Sequence, residues 1–373
     1  MKGWRRVMPV VWWWLAATAA GQVVVPASPA KEWVERAVEE AGRIEPREHR
    51  AEAWGMIAGA AAEAGDRELF HRLVMMALAT AKETDAFTVG ATMWAVAESQ
   101  ARAGDAEAAL ATASQAGLPV YVALAHAAAA QALAERDQID PARTAIERGV
   151  DALKRLDQPG DVDWATLHLA QAMLAADDMA GARRLAGGCA NATSRAEALA
   201  CIALRLAELG DSQASAAALA EGREQLAAAL HGSGERAVYA DIAVVHLAEA
   251  QAAAGRMDDA EQALGQVSDP AAKAAGLIAL ARSAYAQRQP ELARQWLDEA
   301  RASNQAVAGA YERAGNWTAY TAARVRSVDA EAGEASLATW IEGLATPLER
   351  AFAYVGVAQG LIERGGDDAG AAN

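Results

Sequence analysis

Apolar residues recur along this chain every three or four positions, in runs that each end at a short polar turn. A 3.6-residue period fits the runs and strict alternation does not, so the pattern predicts helices throughout. The turns fall at Gly65-Asp66, Gly104-Asp105, Arg136-Asp137, Asp177-Asp178, Gly210-Asp211, Gly255-Arg256, Arg288-Gln289, Gly333-Glu334 and Gly365-Gly366. Their spacings are 39, 32, 41, 33, 45, 33, 45 and 32 residues. Long and short units alternate without exception, so the true period is a double repeat of 71 to 78 residues.

Residues around the turns repeat too. Eight positions before them stand Ile57, Val96, Ala128, Leu169, Ile202, Leu247, Leu280, Val325 and Val357. Seven before stand Ala58, Ala97, Ala129, Ala170, Ala203, Ala248, Ala281, Arg326 and Ala358. An apolar residue beside an alanine marks a helix pressed closely on another. After the turns, Ala109, Ala182, Ala260, Ala293 and Ala338 hold matching places on a second helix. Gly65, Gly104, Gly210 and Gly255 suit the left-handed angle that ends a helix. Asp66, Asp105 and Asp211 can then cap the next one. A phosphate cradle would need several glycines and a lysine in one loop, and "AGDAEAAL" has neither.

In degenerate form, these units resemble the tetratricopeptide repeat, a helix-turn-helix of about 34 residues. The resemblance covers residues 31–365. It implies an all-α fold, an α-solenoid of about nine stacked antiparallel helix pairs in a right-handed superhelix. Stacking would supply one continuous core along an elongated array. The helix from Pro347 to Glu363 would cap it, and 366–373 would form a polar tail. The long units would carry a longer second helix or a loop, as at "LKRLDQPGDVDW" and "LHGSGERAVYAD".

Composition agrees: 53% of residues are hydrophobic but only 5% aromatic, as expected for small-residue packing between close helices. The N-terminus is built differently. Lys2, Arg5 and Arg6 precede an apolar run from Val7 to Ala17, and Ala17-Thr18-Ala19 supplies the small residues of a cleavage site. Residues 1–19 therefore read as a secretory signal peptide, followed by a linker over 20–30. The expected location is the periplasm or outside the cell. The alternative is an uncleaved segment anchoring the chain in the inner membrane. Losing the three cations takes the net charge from −15 to −18. So acidic a chain repels nucleic acid and anionic lipid.

Chemical signatures are sparse. Cys189 and Cys201 would pair in an exported protein. Their positions on adjacent helices leave them about 7 Å out of register, which strains a disulfide, so their state stays open. His168 and His246 share a repeat position, but two repeats separate them by about 20 Å, too far for one metal ion. Asp177-Asp178 and Asp258-Asp259 sit at turns and read as caps. The chain holds no nucleophile elbow, HExxH, CxxC or GxGxxG pattern. No catalytic residue, cofactor or metal is expected.

In resembling repeats the first helix of each pair lines a concave groove, with residues one or two places from the packing alanine pointing into it. Carried over by position, this gives Glu98, Gln171, Glu249, Arg282 and Gln359 six before the turn. Arg102 stands two before, with Glu63, Glu208, Glu331 and Glu363, and Trp94 and Trp164 lie on the same side. Such a mix suits a protein or peptide partner. Inter-repeat packing is the competing role for the tryptophans. The functional expectation is a non-enzymatic, exported interaction scaffold. Its alternatives are a self-assembling homo-oligomer and an enzyme with a dispersed site, which converging buried carboxylates would favour.

Overall fold

The structure, a computed structural model, describes residues 28–233, 240–327 and 330–371. The expected signal peptide lies outside them. Among the described residues there are eighteen helices and no strand. No described helix is long and apolar enough to cross a membrane.

The helices alternate between two roles. One set is α2 (Arg47–Glu63), α4 (Ala86–Arg102), α6 (Pro119–Glu135), α8 (Pro159–Ala175), α10 (Ala192–Glu208), α12 (Ala240–Ala253), α14 (Pro270–Ala286), α16 (Ala310–Ser327) and α18 (Pro347–Ala371). Each packs on the next in this series. The other set is α1 (Ser28–Ala41), α3 (Arg67–Ala81), α5 (Ala106–Ser114), α7 (Ile139–Leu153), α9 (Met179–Gly188), α11 (Ser212–Ser233), α13 (Met257–Leu264), α15 (Pro290–Gln305) and α17 (Ala330–Glu342). These pack on the first set from outside.

Burial follows the roles. In α6, Tyr121 to Ala127 are buried without interruption, as befits a helix surrounded by others. In α15 only the stripe Ala293, Trp296, Leu297, Ala300 and Asn304 is buried, leaving the opposite face to solvent.

The turns behave as their residues dictate. Gly65, Gly104, Gly210 and Gly255 take φ between 75 and 84°. Asp137, Asp177 and Arg288 adopt the same left-handed geometry at φ 58 to 61°. Each is followed by the same closure, a backbone amide reaching back five residues: Asp66 to Ala61, Asp105 to Gln100, Gln138 to Leu133, Asp178 to Met173, Asp211 to Leu206, Arg256 to Gln251 and Gln289 to Ala284, at 2.8 to 3.0 Å. Asp66, Asp105, Asp178 and Asp211 cap the following helices by accepting from Leu69, Ala108, Gly181 and Ala214.

Three sequence expectations shift. The left-handed residue of the third turn is Asp137 and not Arg136, one position later than expected. Gly333-Glu334 lies inside α17 rather than at a turn. The expected tail continues as helix, since α18 runs to Ala371.

The ends of the array also meet. α18 packs on α16, as the series requires, and in addition on α1 and α2. Arg350 Nε donates to Glu40 Oε2 at 2.8 Å, and Trp33 lies 5.7 Å from Tyr354 between ring centroids. Past α18, the Tyr311 hydroxyl donates to Glu52 Oε2 at 2.6 Å. α18 therefore acts as the inner helix of a closing pair whose outer helix is α1. The solenoid is a closed ring of nine pairs, with the last assembled from both ends of the chain. An open array with α18 as a solvated cap is excluded by burial: Ala351 to Ala358 are buried on every face.

Candidate functional site

Closure turns the concave face into the wall of a lumen. All inner helices run in the same direction, because each outer helix returns the chain to the same end. Their N-terminal ends form one mouth and their C-terminal ends the other. The expected site residues lie on these inner helices at two levels.

The upper level is aromatic. Trp94 of α4 contacts Trp164 of α8 at 5.8 Å and His168 at 5.4 Å, both edge-on, and Tyr121 of α6 meets Trp164 at 6.2 Å. A Cβ on Gly90 would collide with the Tyr121 ring, so glycine there lets the ring lie on α4. Trp94 is 2% exposed and serves packing between repeats. Trp164 is half-buried. Burial lowers His168 to about 4 and keeps it neutral. On α2, next to α4, burial raises Glu52 to about 7 against the opposing Tyr311 hydrogen bond. Tyr121 is close enough across the ring to act on the Tyr311 phenol.

One and two helical turns below Trp94 on α4 stand Glu98 and Arg102, on the same face. Arg102 donates from Nε and Nη2 to Glu98 Oε1, at 3.0 and 2.8 Å, and from Nη1 to Glu63 of α2. Glu98 and Arg102 are 7 and 9% exposed. Burial would lower Arg102, but Glu63, Glu98 and Glu135 outweigh it and raise it. Burial raises Glu98 against the pull of Arg102. Burial also pushes Glu135, at the end of α6, up to about 7, with Arg102 and a hydrogen bond from Gln131 opposing.

Charges continue around this lower level. Glu363 of α18 pairs with Arg326 of α16 at 3.0 Å. Burial raises Glu363, while Arg282 of α14 and Arg326 oppose it. Arg282 also acts on Glu208 of α10, which burial raises. Glu249 and Glu197 flank the buried His246 at 3.7 and 3.4 Å, and together they outweigh burial and raise it. Gln171 of α8 donates to Cys201 Sγ at 3.7 Å. Gln359 is half-buried on α18.

The structure thus gathers Glu98 and Arg102 into one cluster and brings Arg282 between Glu208 and Glu363. Glu249 belongs with His246, and Trp94 and Trp164 with the aromatic level. Glu135 and Arg326 were missed by sequence reasoning. Counted from Asp137, Glu135 falls two before its turn, the position that gives Glu63 and Arg102. Arg326 had shown as the one residue breaking the alanine column. Cys189 and Cys201 are free thiols, both buried, and burial pushes Cys189 up to about 12. His168 and His246 face different neighbours, and no group of described residues has the arrangement of a metal site.

A scan against protein-family models finds no match to this chain, and a search of curated proteins finds none similar to it.

Proposed function

We propose that this protein is a non-enzymatic partner-binding scaffold that receives a protein or peptide segment on the inward face of its helical ring. One observation carries the reading: all nine inner helices bring ionisable or polar residues to the C-terminal half of a closed wall. The scattered concave positions become a single site, and the rigid ring presents it without rearrangement. The N-terminal Lys-Arg start, apolar run and Ala-Thr-Ala sequence support export, with action in the periplasm or outside the cell.

Crosslinked affinity capture from the native host tests the reading, comparing wild type with the Glu98→Arg/Arg282→Glu variant. The expected result is a partner retained by wild type and lost by the variant. Equal capture by both places the partner elsewhere and overturns the lumen assignment. Capture of its own copies alone, with mass rising with concentration in light scattering, favours self-assembly. N-terminal sequencing of the same preparation is expected to begin at residue 20 or 21.

A further inference from the structure

We propose that the lower level of the ring binds a primary ammonium or guanidinium group carried on a flexible chain, the basic segment of a partner polypeptide, seated against Glu98 and Glu135. The inference rests on the partner-binding reading and names the chemistry of its ligand.

Arg102 hydrogen-bonds Glu98 and Glu63, and Glu135 acts on it through charge alone, so three carboxylates surround one guanidinium. Both donors that Arg102 turns to Glu98 go to Oε1. Glu98 Oε2 is buried and has no hydrogen-bond partner. A buried acceptor in that state is costly unless something donates to it. The Glu63 side chain, at the C-terminal end of α2, is 20% exposed, so the cluster keeps contact with solvent there. Helix direction adds to the field, because the partial negative charges of the inner helices' C-terminal ends gather at this mouth.

The proton balance makes the site recognisable. Glu135 holds a proton in part of the population near pH 7. A cation seating beside the ionised carboxylate expels that proton to solvent, with no other change in bonding. The charged groups acting on Glu135 are Arg102 and Glu98 from α4 and Glu63 from α2. On α8 the ionisable residues are Asp161, Asp163 and His168; Asp163 holds the Ala190 and Asn191 amides, and His168 is held neutral. The charged residues of α5 and α7, Glu107, Asp140, Arg143, Glu147, Arg148 and Asp151, and Lys154 just past α7, lie on the outer layer and are all exposed.

Isothermal titration of the full-length protein with penta-lysine, in two buffers of different ionisation enthalpy, tests this. Wild type is expected to bind with proton release near pH 7, more tightly at higher pH and more weakly at high salt. The Glu98→Gln/Glu135→Gln variant should bind about tenfold more weakly and release no proton. Glu107→Gln, on the outer helix α5, should match wild type, and a wild-type helical circular-dichroism spectrum for each variant at the titration temperature separates lost binding from lost folding. Penta-glutamate should not bind. Spermidine binding as tightly, with the same loss in the variant, supports the ammonium site and gives its source as a small polyamine. No penta-lysine binding at about 1 mM, or binding that the double variant leaves unchanged, overturns the inference. Should capture succeed with a partner that lacks a basic segment, this inference fails while the scaffold reading stands.

Discussion

Gly356 and Gly360 decide how closely α18 lies on α16. A Cβ at Gly356 would run into the Thr318 carbonyl and the Thr321 hydroxyl, and one at Gly360 into the Ala322 carbonyl. Backbone cannot give way as a side chain does, so Gly356→Ala should cost about 2 kcal/mol by overpacking. At Gly65 nothing lies within 4 Å, but φ is +75°. Gly65→Ala should therefore cost about 1 kcal/mol through backbone strain alone. Chemical denaturation of the two variants checks the contrast. Titration gives a second expectation. Glu52 and Glu135 have folded pKa values near 7, above their unfolded values, so the stability they contribute in acid is lost as pH rises through 7. His168 and His126, near 4 when folded, work the other way and lose stability as pH falls below their unfolded value near 6.5. Melting temperature should thus fall between pH 6.5 and 8, and Glu135→Gln should flatten that fall. An unchanged slope in the variant would contradict the assignment.

At the scale of the helix pair, the chain is held by devices that the sequence shows unevenly. The left-handed turns and aspartate caps were legible, since Gly-Asp leaves few other roles. The arginine at the fourth residue of several inner helices was not. Arg50, Arg195, Arg313 and Arg350 each donate from Nη1 to the carbonyl six residues earlier, Ile44, Cys189, Val307 and Leu344, at 2.6 to 3.4 Å. They clamp the connection entering the helix, but spacings of 145, 118 and 37 residues hide them from a search for one period. Asp241 is a second such device. Its Oδ2 accepts from the Ser268 and Asp269 amides and the Ser268 hydroxyl, at 2.8 to 2.9 Å. Asp163 holds Ala190 and Asn191 in the same way one double repeat earlier. Asp241→Ala leaves two amides without their acceptor and should cost about 2 kcal/mol, measured by denaturant unfolding. One register slip, at Asp137, was enough to hide Glu135 among alanines.

Across the whole molecule, ring closure was the feature that local pattern could not give. It depends on small rotations summed over nine pairs, while each turn fixes only its own. Two clues were present at the ends. α1 buries a single stripe, Trp33, Val34, Ala37 and Ala41, as the outer helices do, yet among the described residues no inner helix precedes it. α18 is apolar and buried on every face from Ala351 to Ala358, yet among the described residues no outer helix follows it. Each is half of a pair, and the halves complete each other. The lumen, its two levels and the gathering of its carboxylates all depend on that contact. Distance measurement between spin labels at Glu39 on α1 and Ala345 beside α18, with Cys189 and Cys201 replaced, tests it most directly. The ring predicts a narrow distribution near about 20 Å, two neighbouring helices and their label linkers apart. An open array, advancing about 10 Å per pair, would give about 60 Å or more and contradict the account.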